Sequence, residues 1–171
     1  MVESEMGEES KAVYPGSFDP VTRGHLEVIE RARELFDVLH IAVASNPDKS
    51  CFFTSEERLE LLRSETADLG GSGVLEFSAF EGLTASFASE LGARWILRGL
   101  RSAADTAYEL PMALSNRRCA QSGIDTVFLP AGAETSFISS SLVREIAAGG
   151  GRLEAFVTPR VEEALRGKFP S

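Results

Sequence analysis

Two rhythms of apolar residues alternate along this chain of 171 residues. Short apolar runs, read as strands, fall at Lys11 to Tyr14, Val38 to Ala44, Val74 to Phe77, Trp95 to Leu97 and Thr126 to Leu129. Between them apolar positions recur at helical spacing, as in Leu26, Ile29, Ala32, Leu35 and Phe36. The helices so predicted cover Gly24 to Phe36, Ser55 to Ala67, Thr84 to Leu91, Leu110 to Arg118, Ser140 to Ala148 and Pro159 to Arg166. Strand and helix in strict alternation predict an α/β fold: an open, mostly parallel five-stranded sheet with helices on both faces. Local punctuation agrees, because Thr54 followed by Glu57 reads as a capping box and Gly149-Gly150-Gly151 as a helix stop. Pro111 conflicts with this order, so a helix either begins near it or bends there.

The first strand runs into Tyr14-Pro15-Gly16-Ser17-Phe18-Asp19-Pro20-Val21-Thr22-Arg23-Gly24-His25. This segment sets a glycine turn, a hydroxyl and an imidazole around the start of a helix. Unpaired N–H groups and a partial positive charge at that start favour an anion, so the segment reads as a phosphate site. Thr22 suits the N-cap, which places His25 in the first turn. The same partial charge disfavours imidazolium, so His25 is expected to be neutral and to donate to phosphate. His40, inside the second strand run, reads as a satisfied core or edge residue.

Length suits one domain with a proper core, spanning residues 11–171 behind a disordered acidic tail at 1–10. Glu3, Glu5, Glu8 and Glu9 supply that tail, which has neither the basic nor the apolar region of a signal peptide. A net charge of −9 and a pI near 4.8 argue against nucleic acid as partner. No apolar run is long enough to cross a bilayer. Cys51 and Cys119 form neither a disulfide framework nor a metal-ligand spacing, which fits a cytoplasmic location. An acidic protein that binds phosphates must gather cations locally, and Lys49, Arg98, Arg101 and Arg144 are the candidates. Arg98 and Arg101 follow the run Trp95-Ile96-Leu97, at the carboxyl end of a strand, where open α/β sheets bind ligands.

Thr22-x-Gly24-His25 resembles the (H/T)xGH signature of the nucleotidyltransferase superfamily, and Ile138-Ser139-Ser140-Ser141-Leu142-Val143-Arg144 resembles its ISSSxxR partner. Tyr14 to Pro20, Ile96-Leu97-Arg98-Gly99-Leu100-Arg101 and Tyr108-Glu109 narrow the resemblance to bacterial phosphopantetheine adenylyltransferases, over about Lys11 to Lys168. The resemblance implies a single-domain Rossmann-like fold. It also implies transfer of the AMP moiety of ATP to 4′-phosphopantetheine, giving dephospho-coenzyme A and pyrophosphate, by in-line attack without a general base. Mg²⁺ is expected with ATP, coenzyme A as a feedback inhibitor, and a homohexamer as the assembly. His25, Ser17, Lys49 and Arg98 would be catalytic. The ATP site would take Ser17, Phe18, His25, Gly99, Leu100, Arg101, Glu109 and the run Thr135, Ser136, Phe137, Ile138, Ser139, Ser140 and Ser141. Ser17, Lys49, Thr84 and Arg98 would hold phosphopantetheine, with Leu83, Met112 and Asn116 along its arm.

The residues leave some readings open. Asp19 is either an Asx-turn residue or a substrate contact, Phe18 and Phe137 are packing residues or adenine walls, and the serine run is a phosphate contact or a plain N-cap cluster. A larger apolar residue is common in the family where Thr84 stands, and proline is unusual where Pro111 stands. The alternatives to the expected activity are a cytidylyltransferase or nicotinate mononucleotide adenylyltransferase, which would keep both motifs, and a catalytically silent module that binds nucleotide or senses coenzyme A.

Overall fold

The computed structural model describes residues 9–45, 51–120 and 123–169. Five strands form one sheet: β1 (Lys11–Gly16), β2 (Val38–Ala44), β3 (Val74–Phe80), β4 (Trp95–Leu100) and β5 (Asp125–Pro130). Their order is β3-β2-β1-β4-β5 and all four pairings are parallel, as the alternation predicts. Successive side chains of a strand point to opposite faces. Ala12 and Tyr14 of β1 therefore enter one apolar cluster, and Val13 enters the other.

Among the described residues six helices cover the two faces: α1 (Arg23–Ala32), α2 (Ser55–Thr66), α3 (Thr84–Glu90), α4 (Ala103–Cys119), α5 (Ser140–Ala148) and α6 (Pro159–Lys168). The larger cluster joins Ile29 of α1, Leu62 of α2, Val143 of α5 and Leu165 of α6 to Leu39, Ile41 and Leu97 of the sheet. The smaller one packs Ala88 of α3 on Val13, Ala42 and Ile96. Fully burying a side chain of this kind contributes about 1.5–3 kcal/mol, so the larger cluster carries most of the fold's stability.

Helix α4 departs from the predicted Leu110 to Arg118. It starts a full two turns earlier, where Ser102 caps it by accepting the Asp105 amide at 3.2 Å, and it continues through Pro111. The apolar pattern misses this start because Glu109 is the helix's one buried residue, so no apolar stripe marks it. The capping box at Thr54 and Glu57 forms as expected.

Strand order reverses at β1, with β2 on one side and β4 on the other. Chain leaving β1 and chain leaving β4 therefore part in opposite directions, and a crevice opens above their carboxyl ends. That crevice is where the predicted motifs meet.

Candidate active site

The turn after β1 is shaped from its glycine outward. A Cβ on Gly16 would lie 2.9 Å from the ring of Phe18, so glycine is what lets that ring fold back beneath the strand end. Phe18 itself has φ of 47°, an uncommon conformation for a bulky residue, and it is 1% exposed. Its ring meets Tyr14 and His25 edge-on, with centroids 5.4 and 5.0 Å away. Phe18 is thus a packing residue that props the imidazole, and it also lines the cleft.

Thr22 is the N-cap of α1, and His25 occupies the third helical position. The Thr22 amide donates to His25 Nδ1 at 3.1 Å. An amide nitrogen can only donate, so Nδ1 must carry a lone pair and the neutral ring bears its proton on Nε2. Burial, with Arg101 and Arg98 nearby, lowers the His25 pKa to about 4. The ring is therefore a neutral donor at physiological pH, as its place in the first turn predicts.

Three arginines converge on the same cleft, each tied to a carboxylate. Arg98 of β4 donates to Glu109 through Nε at 2.7 Å and through Nη2, and to the Pro15 carbonyl through Nη1 at 2.9 Å. Burial works to lower the Arg98 pKa, but the hydrogen bond and charge of Glu109 outweigh it, so the guanidinium is held charged. Arg101 pairs with Asp105 at 3.2 Å and donates to the Ile138 carbonyl at 3.1 Å. Arg144 of α5 pairs with Asp19 at 3.5 Å and also donates to the Asp19 carbonyl.

Asp19 is neither an Asx-turn residue nor free for substrate. Its carboxylate accepts the amides of Phe52 and Phe53, both at 2.8 Å, and so joins the turn after β1 to the chain entering α2. The Asp19–Pro20 peptide is cis. Ser139 caps α5 by accepting the Leu142 amide at 3.1 Å, and Ser140 donates to the Pro20 carbonyl at 2.8 Å. The serine run thus builds a helix start and still faces the cleft.

A cleft of about 460 Å³ is lined by Ser17, Phe18, His25, Arg98, Gly99, Arg101, Glu109, Thr135, Ile138, Ser139, Ser140, Ser141 and Arg144, together with residues of the β1 turn. A second pocket of about 160 Å³ contains Thr84, Met112 and Asn116, with Tyr108, Ala113 and Thr126. Pro15, Arg98 and Glu109 border both, so the two spaces share one wall. Leu100, Ser136 and Phe137 do not line the cleft; Phe137 is 56% exposed and packs edge-on against Phe156. Leu83 is 63% exposed and borders neither pocket. Lys49 lies outside the described residues. His40 is buried in the sheet, 3.1 Å from Glu76 and 2.8 Å from Ser78, as its reading predicts.

Sequence reasoning passed over several residues. Tyr14 reaches the cleft with its phenol pushed up to about 12, chiefly by burial, so it stays protonated. Asp105 holds Arg101, and its i,i+4 spacing from that arginine was the available signal. Thr126 Oγ1 is buried without a partner among the described residues and borders the smaller pocket. Glu27, two residues beyond His25, accepts the Gly132 amide at 2.9 Å and the Thr135 hydroxyl, so it fastens the loop that closes the cleft. No spacing announces a contact that spans the chain from α1 to the segment after β5.

The sequence profile described as cytidylyltransferase-like matches residues 13–146. Over 158 residues the chain is 50% identical to the phosphopantetheine adenylyltransferase of Carboxydothermus hydrogenoformans, covering 92% of this chain and 95% of that one. The chain belongs to the phosphopantetheine adenylyltransferase family. The enzyme of that name from Desulforudis audaxviator is 49% identical over 92% of this chain and 94% of its own. Among solved structures, nicotinic acid mononucleotide adenylyltransferase of Plasmodium falciparum, complexed with NaAD, superposes with a TM-score of 0.68 at 14% identity, over 94% of this chain and 96% of that one. That likeness establishes the nucleotidyltransferase fold and no more.

Proposed function

We propose that this protein transfers the adenylyl group of ATP to 4′-phosphopantetheine, forming dephospho-coenzyme A and pyrophosphate. The observation that carries the reading is the pair of pockets meeting at Arg98. The larger has the features of a polyphosphate site: the neutral His25 Nε2–H, the arginines 101 and 144, and the start of α5. The smaller is a narrow slot in which Met112 offers apolar surface, while Asn116 and the Thr126 hydroxyl, unpartnered among the described residues, offer polar contacts, as an amide-bearing pantetheine arm requires. Family membership points the same way, since relatives near half identity carry that activity in their name.

The phosphate of phosphopantetheine then lies beside Arg98. A phosphate monoester is largely dianionic at neutral pH, its second pKa being about 6, so its oxygen attacks the α-phosphorus without a base. His25 agrees with this, because Nδ1 is committed to the Thr22 amide and Nε2 already carries a proton. It serves as a donor to the α-phosphate, where charge builds in the transition state. The Ser17 hydroxyl and the amides around it assist. Arg98 uses three of its five donor hydrogens on Glu109 and Pro15, which leaves two for the acceptor phosphate. Lys49 joins it there. Glu109 acts by aiming Arg98 rather than by meeting ATP. Pyrophosphate departs toward Ser139, Ser140, Ser141 and Arg144.

Mg²⁺ accompanies ATP in this reading. The cleft's own carboxylates, Asp19, Asp105 and Glu109, are each engaged by an arginine, and no acidic or metal-ligand cluster occurs among the described residues, so the triphosphate itself would hold the ion. A homohexamer, inhibition by coenzyme A and a cytoplasmic location complete the proposal. The apolar side chains exposed along α4 support self-association, and a ligand that spans both pockets suits product-like inhibition. No helix among the described residues is long and apolar enough to cross a membrane.

Pyrophosphate release from purified protein, ATP, Mg²⁺ and 4′-phosphopantetheine, with the acceptor omitted as control, tests the reaction. Release that does not depend on the acceptor, or that proceeds equally with CTP, would refute it. Thermal shift offers a second measure, with ATP set against CTP and coenzyme A against NAD.

A further inference from the structure

Beneath the turn after β1 sits a buried cation that the proposed chemistry does not touch. Arg58, in the first turns of α2, is 2% exposed and does not line the cleft. Its Nη1 donates to the Ser17 carbonyl at 2.7 Å and to the Ala44 carbonyl at 3.1 Å. Nη2 donates to Ser55 Oγ at 3.1 Å, and Nε reaches the Thr54 carbonyl at 3.3 Å. All of these acceptors are neutral. Among the described residues no carboxylate pairs with this guanidinium. Asp19 is committed to Arg144 and to the amides of Phe52 and Phe53, and Glu57 is committed to Lys168.

Taking a charge out of water is costly, and most buried arginines offset that cost with a carboxylate. Carbonyl dipoles offset part of it here, and no carboxylate among the described residues cancels the rest of the charge, which lies directly behind Ser17 of the cleft wall. An anion bound at Ser17 would meet that charge through protein rather than through water, where screening is weak. The guanidinium fork also has a geometric role that an ammonium cannot copy. Nη1 alone meets the Ser17 and Ala44 carbonyls while Nη2 and Nε hold Ser55 and Thr54, so the group ties the Ser17 turn and the end of β2 to the start of α2 through four acceptors, one more than an ammonium has hydrogens to meet.

We propose that Arg58 is a positioning residue of the nucleotide site: its guanidinium ties the Ser17 turn and the end of β2 to the start of α2, and its charge, which no carboxylate among the described residues pairs, is what bound polyphosphate neutralises. The inference rests on the adenylyl-transfer reading and adds a residue that acts on ATP through Ser17 rather than by contact. Arg58 lies behind Ser17, which lines the larger cleft and not the slot around Met112, so the charge serves the polyphosphate side.

Steady-state kinetics and ATP-induced thermal shift on Arg58→Met and Arg58→Lys test it, with Arg166→Met as a control that removes an exposed charge of the same sign. Arg58→Met should raise the KM for ATP tenfold or more and at least halve the ATP-induced rise in melting temperature. Arg58→Lys, which keeps the charge and loses the fork, should return the KM for ATP to within about threefold of wild type while kcat stays at least fivefold low. The control should match wild type in both. Folded Arg58→Met with an unchanged KM for ATP would overturn the inference, however far its melting temperature drops. So would an Arg58→Lys protein no better than Arg58→Met at binding ATP. Should Arg58→Met not fold, Arg58→Gln removes the same charge and gives the same readout. Wild-type protein that binds ATP and forms no pyrophosphate overturns the proposed reaction instead, because the binding comparison still measures Arg58.

Discussion

His25 shows how one backbone donor can set the chemistry of a side chain. The Thr22 amide occupies Nδ1, and burial with two neighbouring guanidiniums depresses the ring's basicity, so the proton on Nε2 is fixed by structure rather than by pH. Ring ¹⁵N shifts should therefore show a neutral Nε2–H tautomer from pH 8 down to about pH 5, with titration near pH 4. A ring that titrates near 6.5, or one protonated on Nδ1, would contradict the geometry. The same depression has a consequence for stability. Below about pH 6.5 the unfolded chain takes up a proton on this residue that the folded chain refuses, so this group makes stability fall as pH drops from 6.5 toward 4. For His25→Ala, kcat should fall at least a hundredfold, about 2.7 kcal/mol, while the KM for ATP changes less than threefold, as for a donor that acts in the transition state. Arg98→Ala should cost phosphopantetheine affinity more than ATP affinity by calorimetry, since Arg98 borders the slot as well as the cleft.

Among the elements, those with an apolar run or a helical apolar stripe were legible even where half exposed, and the start of α4, which has neither, was not. Strand β2 matches its predicted bounds because Val38 to Val43 are all buried, which produces an unbroken apolar run. Helix α5 matches because Ser139 caps it and glycines end it. Helix α4 has the Ser102 cap but no apolar stripe behind it, so its first two turns escaped. The contacts that assemble the site were also illegible: Glu27 to Gly132, Asp19 to Phe53 and Arg58 to Ser17 join side chains to backbone groups across long stretches of chain, and backbone partners leave no pattern in a sequence. Pro111 sits within α4, where it deprives the preceding turn of a donor. Pro111→Ala should raise the melting temperature by roughly 2–6 °C, the gain in helix hydrogen bonding exceeding the loss of unfolded-state stiffness. Met112 and Asn116 follow the proline and face the slot, so the KM for phosphopantetheine should rise while that for ATP holds. Unchanged stability together with unchanged KM values would mean that the helix accommodates proline freely.

At the scale of the whole molecule, a net charge of −9 coexists with a cleft that gathers cations, and the pairing of each arginine with an acid reconciles the two. The acids hold the guanidiniums in place, so little ordering is left to do when phosphate arrives. Helix α4 links this site to the exterior. One side borders the slot through Tyr108, Met112 and Asn116, while Leu110 and Leu114, one turn apart, are 50% and 59% exposed. Apolar side chains aligned on one helix face lose their contact with water when a second copy packs against them. Assembly as the proposed homohexamer would give that row a partner and brace the wall of the slot from outside. Sedimentation velocity at micromolar concentration should then show a species of about six chains for the wild type, and smaller species for the Leu110→Glu, Leu114→Glu double variant. The variant's KM for phosphopantetheine should rise in step with dissociation, because the slot loses its outer support, while ATP-induced stabilisation persists. A double variant that sediments with the wild type would remove α4 from the interface, and a monomeric wild type would remove the hexamer itself.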